Sequence, residues 1–166
     1  MKHTSGFTLI ELLIAITIVA LLTAVTVPAF LRFSVRQELS QGVAGVKTDL
    51  RTVQNRAISG IDREVGGVDY YWWGIEFAAE SGDYDFVKSS NSDDPNDPGD
   101  GVIAVRTKSL PGSGLQIVGG GTVWFKMVTG EVFGTGAVVI RRVGCDCTER
   151  PDDCQDVTVS AGGRIE

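Results

Sequence analysis

An α+β fold is predicted for this chain: a long N-terminal helix, membrane-spanning in its first half and amphipathic in its second, packed on an antiparallel β-sheet domain. Three observations lead there. Leu12 to Leu31 is a run of 20 positions with no charged side chain. From Val35 to Ala57, apolar residues recur at helical spacing. Beyond Gly60, short β-prone runs alternate with Gly, Pro and Asp.

The apolar run comes first. At about 1.5 Å per residue it spans roughly 30 Å, the thickness of a bilayer's hydrocarbon core. A secretory signal peptide has a shorter apolar region, about 7–15 residues, and a small-x-small cleavage site. A plain anchor gives no reason for Glu11, because a carboxylate at mid-membrane costs about 2.5 kcal/mol or more. Pro28 lacks a backbone donor and is expected to kink or interrupt the helix.

The second half of the helix follows from a stripe. Val35, Leu39, Val43, Val46, Leu50, Val53 and Ala57 are spaced by four and three, while Arg36, Glu38, Lys47, Asp49 and Arg51 are expected on the other faces. Ser59-Gly60 is a stop signal. The stripe covers only about three heptads, which argues for packing on a sheet rather than a coiled-coil stalk.

The β region is read as Tyr70–Phe77, Tyr84–Val87, Gly101–Arg106, Leu115–Val118, Thr122–Val128, Ala137–Val143 and Val157–Ser160, with turns at Thr129-Gly130 and Gly162-Gly163. Alternation in Tyr70-Tyr71-Trp72-Trp73 is expected to bury one side of the strand and expose the other. Gly119-Gly120-Gly121 lacks the strand–loop–helix context of a phosphate loop and reads as a turn.

Composition narrows the chemistry. The net charge is −6, and removal of residues 1–6, which contain Lys2, would make it −7. Such a chain is repelled by phosphate backbones, so no nucleic acid is expected as a partner. The one histidine is His3. Without it there is no Ser/His/Asp or Cys/His triad and no imidazole metal ligand. An anchored enzyme is thereby the remote alternative, and no catalytic residue or cofactor is assigned.

Cys145, Cys147 and Cys154 form C-x-C-x₆-C. Three thiols without histidine make a poor metal site, and outside the cytoplasm a disulfide is expected. Cys147–Cys154 and Cys145–Cys154 are both open, whereas Cys145–Cys147 is strained. The segment Ser89–Gly101 offers Asp93, Asp94, Asp97 and Asp100 as calcium candidates, but not at EF-hand spacing. The simpler reading is a solvated, mobile loop.

The head of the chain, Gly6-Phe7-Thr8-Leu9-Ile10-Glu11-Leu12-Leu13, resembles the signal of type IV pilins and type II secretion pseudopilins. The resemblance implies cleavage between Gly6 and Phe7 by a prepilin peptidase, N-methylation of Phe7, and an assembly role for Glu11. It divides the chain into a leader (1–6), a transmembrane and assembly helix (7–31), an amphipathic helix (32–60) and a periplasmic β-rich domain (61–166). Pro28 also fits that family. Gln54–Gly60, Trp73–Phe77, Thr122–Phe125 and the ending Val157–Ile165 are similar to H-type minor pseudopilins, the GspH/FimT family.

That resemblance implies a minor pseudopilin of a type II secretion system, held in the inner membrane by one span with its leader cytoplasmic. Its expected partners are other pseudopilins or pilins, the prepilin peptidase, the inner-membrane platform protein, and lipid before assembly. A minor type IV pilin that primes pili for adhesion, motility or DNA uptake is the alternative. Lys2 before the span and Arg32 and Arg36 after it oppose the positive-inside rule, and the cleavage signal outweighs that count.

Overall fold

The computed structural model describes residues 8–97, 101–112, 114–134 and 136–166, and at 28, 29, 31, 32 and 35 the backbone alone. The chain divides into two compact units, Met1–Gln37 and Glu38–Glu166. Helix α1 (Leu9–Ser59) begins in the first and ends in the second. It is helical through Pro28, where the sequence predicts an interruption. Proline removes one donor, the bond to the carbonyl of Ala24, and the turns on either side continue the helix.

In the first unit, Leu9–Val27 is apolar enough to cross a membrane, with mean hydropathy 2.5, and none of it is buried within the chain. Its threonines are compatible with hydrocarbon because their hydroxyls donate back to helix carbonyls. Thr17 bonds Ile14 O at 2.8 Å, Thr23 bonds Val19 O at 2.7 Å and Thr26 bonds Leu22 O at 3.0 Å.

The second unit is built on the predicted stripe. Leu39, Val43, Val46, Leu50, Val53 and Ala57 are all buried, in one core with side chains from two sheets. The five-stranded sheet has the order β5-β4-β3-β7-β8, from β3 (Trp72–Phe77), β4 (Asp83–Ser89), β5 (Ile103–Ser109), β7 (Gly121–Lys126) and β8 (Val132–Phe133). The three-stranded sheet has the order β10-β9-β6, from β6 (Leu115–Val118), β9 (Gly136–Arg142) and β10 (Cys154–Val159). All pairings are antiparallel. A further ribbon, β1 (Glu64–Val65) with β2 (Val68–Asp69), turns through Gly66 and Gly67, both at positive φ as a two-residue hairpin turn requires.

The fold class is α+β, as the sequence predicts, but the single expected sheet is divided in two. The Gly119–Gly121 segment is the crossover, leaving β6 in one sheet and entering β7 in the other. Residues after β3 join the sheets: Glu80 N donates to Ile117 O, Ile117 N donates to Ser81 O, and the Glu80 carboxylate meets Arg141 at 2.6 Å. The carboxyl end is tied down too. Gln54 Nε2 on α1 donates to Gly163 O at 2.9 Å, and Ile165 is buried.

Candidate assembly site and the polar groups of the globular unit

Glu11 sits at the first turn of α1 and is fixed by Thr8. Glu11 Oε2 accepts the Thr8 backbone N–H at 2.9 Å and the Thr8 hydroxyl at 2.7 Å. Glu11 N–H in turn donates to Thr8 Oγ1 at 3.3 Å. This is a reciprocal capping box, which satisfies helix donors that have no partner inside the helix. Negative charge at a helix N-terminus also faces the positive end of the helix dipole. The carboxylate is thus oriented and hydrogen-bonded at the head of an apolar rod. Thr8 escaped the sequence reading, although the T-x-x-E spacing ahead of an apolar run carried the signal. Gly6 and Phe7, the predicted cleavage pair, lie outside the described residues.

The globular unit holds an ionic group that the sequence reading also missed. Asp49, expected on an outer face of the helix, is buried at 8% exposure. Tyr84 Oη on β4 donates to Asp49 Oδ2 at 2.6 Å, and Lys108 Nζ on β5 lies 2.9 and 2.6 Å from the two carboxylate oxygens. The pair is only partly desolvated, since the Lys108 side chain remains 39% exposed. Burial, reinforced by the bond to Asp49 and that group's charge, pushes the Tyr84 phenol well above its ordinary value. The arrangement satisfies polar groups between helix and sheet.

Lys88 is a buried cation. Its ammonium lies 4.4 Å from the Trp73 ring and 3.4 Å from Asp62 Oδ2. Trp73 Nε1 donates to Ile61 O at 3.0 Å. The indole therefore anchors the segment that follows α1, with Lys88 satisfied by a ring face and a carboxylate.

The aromatic run does not expose one side. Trp73 faces the main core, and Trp72 is equally buried in a smaller cluster with Val87 and Trp124. The loop before β5 helps to cover this face: Pro95 is fully buried, and Trp124 Nε1 donates to Asn96 Oδ1 at 2.8 Å. That loop is accordingly not the wholly solvated segment expected. Asn91 Oδ1 accepts the N–H groups of Asp93 and Asp94, shaping the turn. Among the described residues no three Asp, Glu, His or Cys side chains gather as a metal centre would need. Asp100 lies outside the described residues.

Of the two open cysteine pairings, the structure contains Cys147–Cys154, with Cα atoms 5.7 Å apart. Cys145 is a free thiol, half-buried, and donates to Asp153 Oδ2 at 3.4 Å. Nearby, the Thr148 hydroxyl and N–H both donate to Asp146, holding that exposed carboxyl below its ordinary value.

No curated protein and no solved structure matches the chain. Residues 1–27 match the family model of the prokaryotic N-terminal methylation motif. The capped acid, the apolar rod and that motif coincide, so the amino terminus of this chain is of the prepilin type.

Proposed function

We propose that this chain is a minor pseudopilin of a type II secretion system, a structural subunit of the filament that drives folded proteins outward. One observation carries the reading: an apolar rod, Leu9–Val27, with no cover from its own chain and an oriented carboxylate in its first turn. Such a rod requires lipid or other rods around it. Cleavage after Gly6 creates an ammonium on Phe7. In a filament, the Glu11 carboxylate of one subunit pairs with the Phe7 ammonium of its neighbour. An unpaired charge in hydrocarbon is costly, so pairing rewards one axial register. The globular unit would ride outside the membrane, its disulfide suited to an oxidising compartment.

Processing is tested by the mass and first residue of the protein from native membranes. Phe7 at the amino terminus is expected, and Gly6→Ala is expected to accumulate precursor; retention of residues 1–6 in the native protein refutes the reading. Glu11→Ala is expected to be cleaved but depleted from sheared filaments. Deleting the gene assigns the system: lost export with intact pili supports secretion, and lost pili with intact export assigns the chain to a type IV pilus instead.

A further inference from the structure

Strand β5 is the outer edge of the five-stranded sheet, and both of its faces are open. Six of its seven residues are exposed, and Lys108 is the partly covered one. Arg106 pairs with Phe86 and Ala104 with Val87, so Val105 is an extra, bulged residue. Ile103 and Val105 present apolar side chains at this edge. Beside it, between α1 and β5, runs a groove of about 260 Å³ lined by Asp49, Thr52, Arg56, Phe86, Val105 and Arg106.

The charge in this groove is unbalanced. Asp49 is taken by Tyr84 and Lys108. Among the described residues Arg56 and Arg106 have no carboxylate partner; Arg56 lies 5.4 Å from the Trp73 ring instead. Two guanidiniums without a carboxylate partner, Arg56 from the α1 wall and Arg106 from the β5 wall, are conspicuous in a chain of net charge −6. A defended edge carries charge, proline or a bulge to repel other strands. Here the bulge and cations leave an open backbone edge, which an extended strand with its carboxylates all on the helix-facing side would complement.

We propose that β5 and this groove form a docking edge for an extended acidic segment of another protein. The segment adds as a sixth strand, its backbone pairing with β5 and its carboxylates meeting Arg56 and Arg106. Guanidinium favours this partner because it binds carboxylate in a two-pronged geometry. The proposal does not depend on leader processing or on the filament reading, since all of its residues lie in the globular unit.

The test uses the full chain in detergent micelles and a fluorescein-labelled peptide of alternating aspartate and valine, seven residues long to match β5. Saturable binding is expected, weakened at least about tenfold by R56E and by R106E and by added salt. Hydrogen exchange is expected to slow across Ile103–Ser109 on binding, and backbone N-methylation of the peptide is expected to abolish it. The peptide's failure to bind at about 1 mM overturns the proposal. So does equal binding of a lysine–valine peptide, or full binding of the N-methylated one, which would reduce the site to a charge contact. Self-association that R106E abolishes would make a second copy the occupant and overturn the assignment to another protein. Near-UV dichroism of both variants checks that they remain folded.

Discussion

The Tyr84 hydroxyl donates to Asp49 Oδ2 at 2.6 Å, and through this bond strand β4, next to the edge of the five-stranded sheet, is tied to helix α1 in a largely apolar interface. Lys108 completes the charge balance from the edge strand. The arrangement fixes where the helix sits along the sheet, because sliding either element by one residue would leave a carboxylate without its donors.

Asp49→Ala is therefore expected to cost about 2 kcal/mol, less than a fully buried ion pair because water still reaches Lys108. Urea unfolding followed by tryptophan emission would read this as a lower midpoint. Asp49→Leu combined with Tyr84→Phe is expected to recover part of the loss, since no tyrosine hydroxyl is then stranded and water can solvate the part-exposed Lys108.

Tyr84 also sets a pH dependence. Its phenol titrates above the ordinary value in the folded state. The neutral form is the one that folding favours, so the stability this contributes is complete below about pH 10, where a free tyrosine begins to ionise. It falls as the pH rises further. Phenolate absorbance is expected to include a component that appears only with alkaline unfolding, and Tyr84→Phe is expected to remove it. A smooth titration of Tyr84 with the fold intact would contradict this.

Gly74 is required by the packing of an indole. A Cβ at this position would lie 2.5 Å from Trp124 Cε3. Gly74→Ala is expected to destabilise the protein by about 1–3 kcal/mol and to displace the Trp124 ring from Asn96. Near-UV dichroism would show the change in the tryptophan environment. Serine would disrupt the site no less.

The loop closed by Cys147 and Cys154 is short, with a sequence separation of 7. Chain entropy alone gives about 2–3 kcal/mol for such a loop. Cys147→Ser is expected to lower thermal stability by that order and to expose Cys154 to maleimide. In the unaltered protein, native labelling is expected at Cys145 alone, as mass mapping would reveal.

Local pattern made much of this fold legible. The stripe from Leu39 to Ala57 is buried as its spacing predicts, and the seven expected strands are present with ends shifted by a few residues. The pairs β1–β2 and β7–β8 show the limit. Strands as short as Glu64–Val65 and Val132–Phe133 carry too few residues for a periodic signal. The Gly66-Gly67 turn was the available clue for the first of them. A single line of apolar residues along the helix places Asp49 outside the buried stripe. The buried face is wider than that line, and a sheet donor at its margin makes a carboxylate admissible there.

The sequence by itself determined the rod, the acid at its head, and the division between helical and β-prone segments. Each of these follows from neighbouring residues: side-chain periodicity, a capping spacing, an uninterrupted apolar run. Tertiary structure alone decided that the strands form two sheets, that Cys147 rather than Cys145 takes Cys154, and that Pro95 and Asn96 help to close over the second tryptophan face. Those outcomes depend on contacts between residues distant in the chain, where register and burial are set by the packing of whole elements and no local preference is strong enough to choose.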